Sequence, residues 1–136
     1  MAVITAAEAR AQSELAYIRG TYYIALTNSS TGYNSSTTYA TIQADEVTAG
    51  NGGYQRLSFT YVSDDLEAYT VGQPFSLKVA NFVHDGSSTN MVFNHVVLLR
   101  EVSSVYSVVA FQDLGQTFTL ESGNYIRIDI DLTHGI

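Results

Sequence analysis

The chain has 136 residues, no cysteine, a net charge of -7 and an unusually low charged fraction of 14%. This length suits one domain that buries its own core, and the lack of cysteine excludes disulfides and thiolate metal sites. The acidic balance disfavours nucleic acid, because binding phosphates requires cationic side chains. No apolar run approaches the roughly 20 residues of a membrane span, and the first residues lack a signal-peptide pattern. We therefore expect neither a nucleic-acid partner nor a membrane partner.

The composition also bears on the surface. Charged residues make up about 25% of an average soluble domain, whereas here Ser, Thr, Asn, Gly and ten tyrosines take many of the polar places. Aromatic residues are enriched and charges depleted at the centres of protein interfaces. The composition thus favours a surface that lies against other protein. A solvated β domain that uses Thr and Tyr for their strand propensity is the alternative.

The N-terminal segment predicts a helix over residues 6–19. Thr5 and Glu8 have the spacing of a capping box, and Gly20 stands at the stop position. The apolar stripe of this helix is narrow. Such a helix suits the edge of a sheet or the surface of a neighbouring subunit.

Most of the remaining chain predicts β-strands. Apolar and polar residues alternate in several short segments, which gives a strand one buried face and one exposed face. Residues 91–99 are almost continuously apolar and predict a central strand that is covered on both faces. The other predicted strands are residues 21–27, 57–62, 75–82 and 106–111.

The end of the chain predicts a hairpin over residues 118–132. In the last strand Ile126, Ile128 and Ile130 alternate with Arg127 and Asp129, so one face is apolar and the other charged. The turn before this strand is formed by residues 122–124.

Two segments predict irregular structure. Residues 28–38 are turn formers with one tyrosine and predict a long polar loop, while residues 49–53 are too rich in glycine for a regular element. Residues 39–44 fit either a short strand or one helical turn.

About seven or eight short strands separated by turn signals predict a sandwich, a jelly roll or a small barrel. We therefore expect a mainly β fold, an antiparallel jelly-roll-like β-sandwich preceded by one N-terminal α-helix. Residues 1–20 would form a helical arm, and residues 21–136 the sandwich, within a single domain overall.

Five short motifs follow one another along the chain: Tyr23-Ile24-Ala25-Leu26, Glu46-Val47, Gly52-Gly53-Tyr54-Gln55-Arg56, His95-Val96-Val97-Leu98 and the closing alternating strand. This order resembles that of a group of small structural proteins in the virions of tailed bacteriophages. The chain departs from the family pattern in lacking a tryptophan before the fourth motif and in having a longer loop after the first. The resemblance implies a jelly-roll-like protein that decorates or cements the capsid or belongs to the tail or its fibres. It also implies a trimer or another symmetric multimer.

The sequence offers little for catalysis. The histidines His84, His95 and His134 lack metal-ligand spacing, and no Gly-x-Ser-x-Gly elbow or phosphate-binding loop is present. His95 lies within an apolar strand, which favours a hydrogen-bonded imidazole in the core or at an interface over a metal ligand. Asp129 and Asp131 could hold Ca²⁺ or act as an acid and a base, although a solvated ladder of side chains is the simpler interpretation. We therefore expect neither an enzyme nor a cofactor.

The leading hypothesis is a capsid decoration or cement protein that binds the outer shell as a homotrimer. Its partner would be the major capsid protein, and its location the virion, assembled in the host cytoplasm. The alternative is an adhesive tail or tail-fibre component, in which the loop 28–38, with Tyr33 and the adjoining Tyr39, contacts glycans. The residues that we predict at an interface are Ile4, Leu15, Ile18, Tyr22, Tyr54 and Arg56.

Overall fold

The computed structural model describes residues 19–62 and 78–130, and within these ranges the protein is mainly β. The predicted helix over residues 6–19 lies outside the described residues, as do the proposed interface residues Ile4, Leu15 and Ile18. The elements of the described residues are β1 (Thr21–Thr27), α1 (Tyr39–Asp45), a 3-10 turn (Asn51–Gly53), β2 (Leu57–Phe59), β3 (Lys78–Val83), β4 (Met91–Val102), β5 (Val105–Leu120) and β6 (Tyr125–Ile130).

The larger sheet has four antiparallel strands in the order β2-β1-β4-β5. The prediction of a central strand near residues 91–99 is confirmed, since β4 lies between β1 and β5 and buries residues on both of its faces. Alternation in β1 divides its side chains between two layers. Tyr22, Ile24 and Leu26 belong to one core cluster, and Ala25 belongs to another.

The smaller sheet pairs β3 with β6 in antiparallel register. Its apolar side chains Ala80, Phe82 and Ile130 share a core cluster with Ile24 and Leu98 of the larger sheet. The two sheets therefore face each other across a common hydrophobic core, as in a β-sandwich.

The helix α1 covers the other face of the larger sheet. Thr38 caps it, because the Thr38 side chain accepts a hydrogen bond from the backbone of Thr41. Ile42 is fully buried and packs with Val97 and Leu99. Residues 39–44, which fitted either a strand or a helical turn, are thus helical. The packing of Ile42 against the sheet stabilises the helix.

The predicted C-terminal hairpin is wrong. Leu120, at the end of β5, pairs with Met91 of the larger sheet, whereas Tyr125, at the start of β6, pairs with Val83 of the smaller sheet. The turn between them forms as predicted, with the backbone of Asn124 donating to the carbonyl of Glu121 at 3.1 Å. Alternation specifies which face of a strand is buried, but it does not specify the partner strand.

Two other predicted strands have different lengths in the structure. β2 ends at Phe59, although the prediction extended to residue 62, and β5 is 16 residues long where a strand over residues 106–111 was expected. The turn that joins β4 to β5 is Ser103-Ser104, and both residues have positive φ. Such a turn matches the twist of the two strands and holds their long pairing in register.

Candidate functional site

The Gly-Gly-Tyr-x-Arg segment packs inside the fold. Gly52 and Gly53 have φ values of 59° and 81°, and they approach the turn that contains His84 and Asp85. A Cβ on Gly52 would lie 2.8 Å from His84 Cδ2, and one on Gly53 would lie 2.8 Å from Asp85 Cβ. The backbone of Asp85 donates to the Gly52 carbonyl at 2.9 Å. The two glycines therefore provide both the predicted tight turn and room for a second loop.

Tyr54 follows these glycines and links three segments of the chain. Its ring is buried and stacks on Phe82 with centroids 6.0 Å apart. Its hydroxyl donates to Glu46 Oε2 at 2.6 Å and accepts from the Leu26 backbone at 3.2 Å. Burial, reinforced by the Glu46 carboxylate, raises the pKa of Tyr54 above its usual range.

Arg56 completes the group. Its guanidinium binds Glu46 in bidentate fashion, with Nε 2.8 Å from Oε2 and Nη2 2.7 Å from Oε1. It also donates to the Tyr39 hydroxyl at 2.9 Å and lies over the Tyr39 and Tyr106 rings. The hydrogen bonds to Glu46 raise the pKa of Arg56 further. We call the residues Tyr39, Glu46, Tyr54, Arg56 and Tyr106 the Arg56 cluster.

Three of the predicted interface residues have little exposed surface. Tyr22 and Tyr54 are buried in the core, and Arg56 is only 19% exposed and already binds Glu46. These side chains offer little surface to a partner. Their exposure could not be judged from the sequence, because the pattern of a motif does not state which residues meet within the fold.

A different part of the molecule exposes apolar surface. A groove of about 370 Å³ lies between β5 and β6, on the side of the sandwich away from β2. Among the described residues, β5 pairs only with β4 and β6 only with β3, so each strand presents a free edge beside the groove. We call this feature the β5–β6 groove, and its apolar walls include Val96, Leu98, Ala110, Leu114, Ile126 and Ile128.

Large apolar side chains are also exposed along β5 and at the start of β6. On β5, Val105 is 69% exposed and Phe111 is 38% exposed, and Tyr125 at the start of β6 is 68% exposed. Few charges lie between them. Arg127 and Asp129 on β6 form an exposed pair at 2.8 Å, in agreement with the solvated ladder expected from the sequence, while Asp131 lies outside the described residues.

Long edge strands without charges are templates for pairing with another chain. Over its 16 residues β5 carries a single charged side chain, Asp113, and has no proline. An exposed apolar groove next to such an edge is also typical of a protein interaction site. These features are typical of a surface that binds protein. The alternation in β6 predicted its apolar face, but no pattern in the sequence indicated the groove.

The histidines in the described ranges have internal partners. His84 is buried, its Nδ1 accepts from the Gly86 backbone at 2.9 Å, and its Nε2 lies 3.0 Å from the Thr89 carbonyl. His95 is buried and hydrogen-bonded to Asn94, as its place in the apolar strand predicted. Within residues 19–62 and 78–130 no group of three metal-ligating side chains occurs. His134 lies outside these ranges.

The helix α1 has seven residues, and no helix in the described part of the chain could cross a lipid bilayer. Comparison of the chain with protein-family models, with curated proteins and with solved structures found no match in any of the three.

Proposed function

We propose that this chain is a structural protein of a tailed-bacteriophage virion, and that it decorates or cements the outer surface of the capsid. The motif order supports this assignment, and so does the two-sheet architecture. We further propose that the complete domain is a jelly-roll variant of the sandwich and that it assembles as a homotrimer.

The observation that carries the proposal is the β5–β6 groove, beside which β5 and β6 each have one edge without a partner strand among the described residues. An apolar groove of this kind is suited to permanent burial against protein. Adding a strand to the edge of β5 that has no partner strand among the described residues would satisfy its backbone groups, and the same contact would cover Val109. The low charge of the chain reduces the cost of removing water from such a contact.

The mechanism is thermodynamic. A protein that binds only the assembled shell stabilises that shell by mass action, because its binding free energy is lost when the shell comes apart. A specific contact of this kind buries roughly 1,000 Å² or more. The major capsid protein is the proposed partner, the virion is the proposed location, and no step requires a catalytic residue or a cofactor.

The test compares two substitutions that introduce the same charge. Val109→Asp places a carboxylate on β5 at a side chain that is 37% exposed, and Val92→Asp does so on β4 at one that is 39% exposed. We expect Val109→Asp to reduce both self-association and occupancy on virions about tenfold, a change of about 1.4 kcal/mol in binding free energy. Val92→Asp, at a residue that lies opposite the uncharged Thr119, should change neither quantity. Sedimentation velocity measures self-association, and gel densitometry of purified virions measures copy number.

A monomeric wild-type chain that is absent from virions would overturn the proposal. Hundreds of copies per virion support a position on the shell, whereas a few tens of copies indicate the tail. The tail alternative has one observation of its own in its favour, a polar cavity that lies outside the β5–β6 groove.

A further inference from the structure

A polar cavity of about 360 Å³ opens beside the end of β1. Its walls are the loop that begins at Ser29, the pair Asn94 and His95 of β4, and Asp113 and Gln116 of β5. None of these residues belongs to the Arg56 cluster or to the β5–β6 groove. The cavity therefore has no part in the proposed capsid contact.

The backbone departs from regular pairing at this cavity. Phe93 pairs with Phe118 and His95 pairs with Asp113, so the single residue Asn94 of β4 lies opposite residues 114–117, which bulge from β5. Gly115 takes a positive φ in this bulge, and its backbone donates to Asp113 Oδ1 at 2.8 Å. Bulges redirect side chains and are common beside functional sites. Here the bulge brings polar side chains to a strand that is otherwise apolar.

The hydrogen bonds of Asn94 determine the tautomer of His95. Asn94 Nδ2 donates to the Ser29 carbonyl at 2.7 Å, and the Ser29 backbone donates to Asn94 Oδ1 at 2.9 Å. These two bonds fix Oδ1 as an acceptor. Because Oδ1 lies 2.6 Å from His95 Nδ1, that ring nitrogen must carry the hydrogen. In the neutral imidazole, Nε2 is then an acceptor.

His95 Nε2 and Asp113 Oδ2 are 3.9 Å apart, too far for a direct hydrogen bond. In this tautomer both atoms are acceptors, so they do not satisfy each other. The His95 side chain is only 5% exposed, while the Asp113 side chain is 68% exposed and borders the open cavity. A ligand that brings hydroxyl donors would satisfy both acceptors.

Phe111, in the wall of the adjoining β5–β6 groove, supplies an aromatic ring on the same strand face as Asp113. Phe111 is two residues before Asp113 on β5, so the two side chains point to the same face of the strand. Phe111 is 38% exposed and makes an edge contact with Tyr33 at 5.8 Å, and Tyr33 in turn contacts the His95 ring at 4.7 Å. The Tyr33 side chain is held in place by hydrogen bonds from its hydroxyl to Thr27 at 2.8 Å and to Asp45 at 3.0 Å.

We propose that this cavity binds a saccharide. One sugar hydroxyl donates to the Asp113 carboxylate, a second donates to His95 Nε2, and the apolar face of the sugar ring packs on Phe111. The neutral side chains of Ser30, Thr31 and Gln116 can exchange hydrogen bonds with the other hydroxyls. Neither a position on the capsid nor a position on the tail is required for this binding.

This site differs from the glycan surface expected from the sequence. Tyr39 belongs to the Arg56 cluster and stacks on Tyr106 with centroids 4.7 Å apart, so it faces another part of the molecule. Tyr33 supports Phe111 and His95 from within the loop. Asp113 and Phe111, to which no motif in the sequence pointed, supply the accessible contacts.

The experiment uses the full-length chain and an array of immobilised oligosaccharides, followed by calorimetric titration with the sugar that binds best. Asp113→Asn removes one charge from the cavity, and Asp129→Asn removes one charge from β6, where the side chain is 51% exposed. We expect Asp113→Asn to weaken binding about tenfold, as for loss of a hydrogen bond to a charged group. Phe111→Ala should also weaken binding, and Asp129→Asn should leave it unchanged.

Three results would overturn the proposal. They are the absence of any bound oligosaccharide, an equal loss of binding in the two aspartate variants, and preferential binding of a lysine-rich peptide, which would make an ammonium group the donor. Because the readout is sugar binding by the purified chain, a negative result here would leave the capsid proposal intact. A negative result for virion occupancy would equally leave the saccharide proposal intact.

Discussion

The Arg56 cluster and the β5–β6 groove differ in how many of their side chains find partners within the fold. At the Arg56 cluster, one carboxylate, one guanidinium and three phenol rings bind one another at short distances. At the β5–β6 groove, apolar walls and free strand edges face outwards among the described residues. The first side holds the domain together, and the second is available to bind another molecule.

This difference shows that a recognisable motif need not mark the surface that carries the function. The most distinctive residues of the sequence, Gly52 to Arg56, are used for internal packing and hydrogen bonding. The surface best suited to a protein partner is built from ordinary valine, leucine and isoleucine. Substitutions on the two sides should therefore have opposite effects on stability and association.

The largest loss of stability is expected for Glu46→Ala. The substitution leaves the Arg56 guanidinium and the Tyr54 hydroxyl without their shared partner, and it should lower the free energy of unfolding by about 3 kcal/mol. Urea unfolding measures the change. The control is Glu121→Ala, at an exposed side chain in the turn before β6. A loss below about 1 kcal/mol would mean that the cluster is not a principal support of the fold.

Alkaline pH is expected to lower the free energy of unfolding by a smaller amount. Burial raises the pKa of Tyr33 to about 12 and raises that of Tyr54 as well. The folded state therefore holds these protons more tightly than the unfolded state, in which tyrosine ionises near pH 10. Their contribution to stability is complete below about pH 10 and is lost as the pH rises through the raised values.

Urea unfolding at about pH 9 and about pH 11 tests this expectation, since tyrosines in the unfolded chain ionise between these values. The midpoint should fall at the higher pH. In the variant Tyr54→Phe the fall should be smaller, whereas Tyr125→Phe, at an exposed ring, should behave like the wild type. Equal pH dependence of the two variants would contradict the assignment.

The smallest effect on stability is expected on the open side. Val105→Ser changes a side chain that is 69% exposed on β5, so the free energy of unfolding should change by no more than about 0.5 kcal/mol. The matched substitution Val97→Ser, on β4 in the buried core, should cost several times more. If Val105→Ser destabilised the isolated chain as strongly, Val105 would have to be packed within the fold.

Local patterns in the sequence predicted a large part of this fold. The strand at residues 21–27, the alternation in β6 and the apolar run of β4 each depend on neighbouring residues, and each prediction agrees with the structure. The polar loop 28–38 and the glycine-rich turn also agree. The prediction failed for the strand pairing after residue 118, because the choice of partner depends on residues far away in the chain.

The candidate sites were less accessible to prediction. The motif in the sequence pointed to Tyr54 and Arg56. Their internal hydrogen bonds to Glu46 and Tyr39 form only in the folded chain, so the sequence did not reveal them. The cavity at His95 requires a bulge between β4 and β5, and a bulge leaves no clear mark in the alternation of either strand.

The sequence by itself determined that this protein would be a charge-poor, antiparallel β domain, because periodicity and turn chemistry act over a few residues. The tertiary structure decided which strands meet, which polar groups become buried and which apolar surface remains open. Those outcomes depend on the packing of distant segments. A list of motifs carries no information about which of them will lie side by side.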